Sequence, residues 1–148
     1  MGWLNSLGGQ WFQLIETASI VATVLATAFT IRADIRVRKI QNLFAITQAH
    51  RELWMEFYRN PRLHRILDPK ADLQHGAVSL PEERFVHEII LHLRASFKAR
   101  QAGMEFDDDA VATDVREFFS LPVPRQVWSR SKVFQDRDFV AFVDACVS

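Results

Sequence analysis

Apolar positions recur at helical spacing through most of the chain, and no stretch of useful length alternates apolar with polar as a half-buried strand would. The pattern predicts an all-α protein. From Thr17 to Ile31 there is no charged residue, and the side chains sort by size around the helix. At about 100° per residue, Ala18, Ala22 and Ala26 adjoin Ser19, Thr23, Thr27 and Thr30, while Ile20, Val21, Val24, Leu25 and Ile31 take the other side, with Phe29 the exception. Fifteen residues fall short of the roughly twenty that a bilayer needs. Extension back to Trp11 adds Glu16 as the only charge and gives roughly 31 Å of helix, with Trp3, Trp11 and Phe12 as interfacial aromatics. Glu16 then lies close enough to the interface to stay partly hydrated. Residues 1–31 are expected to form an interfacial segment and a single transmembrane helix.

Beyond Ile31 there is no Gly or Pro until Pro61, and Ile35, Ile40, Leu43, Phe44, Ile46, Leu53, Trp54 and Phe57 keep the helical rhythm. The span should continue as a basic juxtamembrane stalk over residues 32–60. It stops at Asn60, because Pro61 lacks an amide and disfavours helical geometry in the residue before it. Residues 61–148 are expected to form a small helical domain packing on the stalk. Leu63–Leu67 fits a helical turn, and Asp68–Val78, with Pro69 and Gly76, reads as the longest loop. Ser79 and Glu82 form a capping box with Pro81 in the first turn, opening a helix whose Phe85, Val86, Ile89, Ile90, Leu93 and Phe97 share one face, with Gly103 as its stop. A third helix opens near Asp107–Asp109 and buries Val111, Val115, Phe118 and Phe119 before Pro122. Pro122 and Pro124 predict a stiff corner, followed by a short helix over Gln126–Ser131 and a last one from Asp136 that buries Phe139, Val140, Phe142 and Val143. Phe134 is expected in the core with the other phenylalanines.

Charge sets the direction of the anchor. No Lys or Arg precedes the span, while Arg32, Arg36, Arg38 and Lys39 follow within eight residues, the asymmetry that keeps basic flanks in the cytoplasm. We expect a bacterial inner-membrane protein with its N-terminus outside, its helical domain cytoplasmic, and these four side chains on anionic lipid headgroups. Over the whole chain, eighteen acids balance eighteen bases, which argues against a nucleic-acid partner held by counterion release. Cys146 is the sole cysteine, so neither an intrachain disulfide nor a thiolate-rich metal site can form.

Candidate chemistry is sparse. His87, Glu88 and His92 come one residue short of the H-E-x-x-H zinc pattern, but positions five apart diverge by about 140° on a helix and do not grip one metal. They read as structural histidines. No nucleophile motif and no glycine-rich phosphate loop occurs, and the span holds no His, Met or Cys for an intramembrane haem, so no cofactor is expected. Asp107–Asp109 reads as helix capping rather than as a cation site.

The membrane segment itself carries the sharpest feature. Glu16, Ser19, Thr23, Thr27, Thr30 and Asp34 fall within about 80° of one another, a polar stripe with a carboxylate at each end. In a ring of helices it would line a cation path. Packing comes ahead of that reading, because Ser and Thr in membrane helices bond their own carbonyls or a neighbour, and Ala18, Ala22, Ala26, Ser19, Thr23 and Thr27 let a second helix approach closely. The leading expectation is a non-enzymatic assembly, scaffold or regulatory subunit whose partners are membrane lipid and another transmembrane helix, from a second copy or a larger complex. A homo-oligomeric cation pore is the alternative. A helical enzyme built on His50, His87 and nearby acids would require those groups to converge in space.

Overall fold

The computed structural model describes residues 3–104 and 108–148, with side chains from Ile15 onward apart from Asp108. The side chains of Trp3, Trp11 and Phe12, and Asp107 as a helix cap, lie outside the described residues. Among the described residues five α-helices follow in order: α1 (Trp3–Arg59), α2 (Leu80–Gln101), α3 (Asp108–Ser120), α4 (Pro122–Ser131) and α5 (Arg137–Val147), with 3₁₀ helices at Pro61–Leu67 and Lys132–Phe134. No strand occurs among the described residues. The chain divides into two compact units, Met1–Gln41 and Asn42–Ser148.

Among the described residues the first unit holds only the part of α1 up to Gln41. Every side chain described between Ile15 and Gln41 is exposed, bulky apolar ones included, Leu25 at 65% and Phe29 at 76%. Helix α1 is long and apolar enough to cross a membrane. Three of its threonine hydroxyls bond within the helix: Thr23 Oγ1 donates to the Ser19 carbonyl at 2.8 Å, Thr27 to Thr23 at 2.8 Å and Thr30 to Ala26 at 2.9 Å. Farther along, Arg38 Nε donates to Asp34 Oδ2 at 2.9 Å, an (i, i+4) ion pair between exposed side chains.

The second unit holds a single core. Phe57 from the last turn of α1, and Leu63 and Ile66 from the first 3₁₀ helix, meet the apolar face of α2, where Phe85, Val86, Ile90, Leu93 and Phe97 are buried. Helix α3 adds Val115, Phe118 and Phe119 to that core, α4 adds Val123, Val127 and Trp128, and α5 adds Phe139 and Val143. Trp128 joins three helices: its ring lies 5.0 Å from Phe119 of α3 and meets Phe139 of α5 edge-on at 5.8 Å. Such aromatic pairs add about 0.5–1.5 kcal/mol each beyond the burial of their area.

Local chemistry sets the helix ends. Asn60 follows the last residue of α1, and its side chain accepts from the Arg62 amide at 3.3 Å, so the helix stops where Pro61 demands. At the start of α2, Glu82 reaches back to accept from Ser79 N at 2.8 Å and Ser79 Oγ at 2.7 Å. Past its end, Gly103 takes φ 74°, the left-handed conformation that a side chain disfavours. Two expectations are corrected. The prolines at 122 and 124 do not make a corner ahead of a helix; they sit in the first turn of α4, whose first internal bond runs from Arg125 N to the Leu121 carbonyl at 3.0 Å. Amides in a first turn have no partner within the helix, so losing them costs nothing there. Phe134 is not core either: it is 82% exposed, because α4 tightens into the 3₁₀ helix and turns Val133 and Phe134 outward.

One partly buried ion pair organises the loop of residues 68–78. Glu82, only 3% exposed, accepts from Arg65 Nε at 2.8 Å and Nη2 at 2.9 Å. The same guanidinium donates to the carbonyls of Gly76 at 2.8 Å and Ala77 at 2.9 Å, tying the loop to the base of α2. A Cβ at position 76 would stand 2.8 Å from Arg65 Nη1, which is why a glycine fits under the clamp. Arg65 holds the Glu82 carboxyl down at about 2, with the Ser79 amide and hydroxyl assisting against the cost of burial.

Candidate functional site

Two surfaces carry candidate chemistry, one in each unit. On the first, α1 presents Ala18, Ser19, Ala22, Thr23, Ala26 and Thr27 as an exposed face of small side chains. Glu16, Thr30 and Asp34 extend it as a polar stripe, all three exposed. Thr23, Thr27 and Thr30 spend their only hydroxyl protons on their own helix, and the Asp34 carboxylate is shared with Arg38. What remains along the face is a shallow ridge with its threonine donors satisfied, a surface another helix can approach. Arg32, Arg36, Arg38 and Lys39 are exposed beyond it.

The second surface is a cavity of about 700 Å³ in the Asn42–Ser148 unit, walled by the last turns of α1, the middle of α2 and the length of α3. Its walls follow from helical spacing. On α1, Ile46, His50, Leu53 and Phe57 return to one side of the helix; on α2, Phe85, Ile89, His92 and Ser96 do the same; on α3, Val111, Asp114 and Phe118 complete the lining. Most of the lining is aliphatic or aromatic.

At one side of the cavity the helices are joined by a chain of rings. The Trp54 indole nitrogen lies 2.8 Å from His50 Nε2, and His50 Nδ1 lies 3.3 Å from His92 Nε2. An indole N–H only donates, so His50 Nε2 must accept and the proton of the neutral ring sits on Nδ1. That proton points to His92 Nε2, which accepts in turn and leaves the His92 proton on Nδ1. The chain Trp54 to His50 to His92 is complete only while both imidazoles are neutral. Burial pushes His92 below the ordinary imidazole value, and the neighbouring His50 pushes it the same way, against the opposing pull of Asp114.

No family model matches this chain, and no curated protein or solved structure matches it. The assignment of function therefore rests on geometry.

Histidines five apart on α2 do not act together: His92 turns to His50 on α1, whereas His87 lies half-buried outside the cavity lining. The convergence that a His50 and His87 enzyme would require is not made; His50 meets His92. Among the described residues no three potential metal ligands cluster. Sequence reasoning missed Trp54, His92 and Asp114 as neighbours of one cavity. The only local signal was Trp54 four residues after His50, an (i, i+4) pair on one helix face.

Proposed function

We propose that this chain is a non-enzymatic, single-pass subunit of a larger assembly in the bacterial inner membrane. Its N-terminus lies outside and its helical unit in the cytoplasm, with Arg32, Arg36, Arg38 and Lys39 on the lipid headgroups. One observation supports the reading above the rest: the uncharged stretch from Thr17 to Ile31 is exposed throughout, although it is built of residues that water disfavours. Lipid resolves that conflict on the Ile, Val and Leu side, and a second transmembrane helix resolves it on the Ala, Ser and Thr side, where small residues permit close contact. Threonines bonded to carbonyls four residues earlier in the same helix meet the requirement of a medium that offers no water partner. The same bonds, with the pairing of Asp34 to Arg38, favour a packing face over a conducting stripe.

The test is extraction and association in the cell. The full chain should stay with membranes through an alkaline carbonate wash, and cysteines placed at Ala22 or Ala26 should cross-link it to a partner helix. Ala22→Leu with Ala26→Leu should weaken that association by about tenfold or more. Release into the aqueous fraction, or a cross-linking pattern unchanged by the double substitution, would overturn the proposal.

A further inference from the structure

The cavity of the second unit has a chemistry that the anchor reading does not use. A volume of about 700 Å³ lies within the range of small-molecule sites, roughly 300–1,000 Å³. Leu53, Phe57, Phe85, Leu93, Val111 and Phe118 form its apolar walls. Asp114 and Glu117, one turn apart on α3, face it together with the two imidazoles, and no Lys or Arg lines it among the described residues. Neither carboxylate takes part in an ion pair among those residues. Among the described residues the lining thus offers two carboxylates and no ammonium or guanidinium.

An anionic guest, such as a fatty acid, would enter against that field. A cation is drawn in by it, and an aromatic lining of Trp54, Phe57, Phe85 and Phe118 suits positive charge. A guest of small-molecule size matches that volume. We propose that this cavity binds a small lipophilic cation, an apolar and preferably aromatic body bearing one positive charge, with Asp114 and Glu117 as its counter-ions. The site lies wholly within residues 46–121, so its failure would leave the anchor reading untouched, and loss of the anchor would leave the site in place.

Two ions of nearly equal size and opposite charge make the test. The full chain is reconstituted in phosphatidylcholine nanodiscs, and saturable binding of tetraphenylphosphonium and of tetraphenylborate is measured against empty discs. The cation should bind saturably and the anion should not. Asp114→Asn with Glu117→Gln should weaken the cation by at least about tenfold, and Ala110→Trp, which puts an indole into the cavity, should abolish binding. Both variants are checked for unchanged helicity; if either fails to fold, the comparison of the two ions on the unmodified chain still decides. Equal binding of the two ions, no saturable cation binding, or an unchanged affinity in the folded double variant would overturn the proposal. So would saturable binding of a basic amphipathic peptide without binding of the phosphonium, which would make the cavity a helix-docking groove.

Discussion

Glu82 shows how one side chain can serve two structures. Three residues after Ser79 it closes the N-terminus of α2, a role legible from spacing, and it also receives the bidentate guanidinium of Arg65, seventeen residues earlier, which spacing does not disclose. Removing the carboxylate takes a charged hydrogen-bond partner from Arg65, whose side chain is 30% exposed and keeps access to water, so Glu82→Gln should cost about 2 kcal/mol of unfolding free energy in urea titrations at neutral pH. The carboxyl is held at about 2 in the fold against an ordinary value of 4.5, so the unfolded chain takes up its proton first as pH falls. The stabilisation is complete above 4.5 and drains away between there and about 2. Stability measured across that interval should fall steeply in the native chain and more weakly in Glu82→Gln. An equal acid dependence in both would remove the clamp from the account. Phe134 carries the opposite lesson, since its apolarity predicted burial and a change of helix type turned it outward.

Helix ends were largely visible in the linear order of residues because their causes are local. Pro61 stops α1, the Ser79 and Glu82 pair opens α2, and Gly103 lies just past the end of α2 with φ 74°. Gly103→Ala forces a side chain into that left-handed conformation and should cost about 1 kcal/mol, read as a lower thermal midpoint with an unchanged helical spectrum. A neutral result would mean that the turn relaxes without loss. Helix α4 escaped the same reasoning at its start. Proline is both a breaker and a good first-turn residue, and its neighbours in the chain do not say which; here Leu121 is extended and Pro122 begins the helix.

The joint between α1 and α2 in the Asn42–Ser148 unit belongs to the folded domain rather than to any segment of it. Trp54, His50 and His92 bond in sequence only while both imidazoles are neutral, and His92 is already pushed below the ordinary imidazole range by burial and by His50. Because the folded value is the lower one, the neutral joint stabilises above the ordinary imidazole value, and its contribution is lost as pH falls through the depressed one. Hydrogen exchange over residues 46–57 should therefore quicken on moving from pH 7.5 to 5, after correction for the intrinsic rate, by the loss of about 1 kcal/mol of protection. His92→Phe should flatten that dependence; a pH response unchanged by the substitution would show that the joint does not carry it. The described helices, the uncharged span and most helix ends were specified by the chain alone, since each depends on residues a few positions apart and on the 3.6-residue period. His50 meeting His92 forty-two residues later, Arg65 meeting Glu82, and a cavity walled from three helices were decided by tertiary packing. Contacts between distant residues follow from the joint burial of many side chains, and no spacing within one helix encodes which other helix it will face.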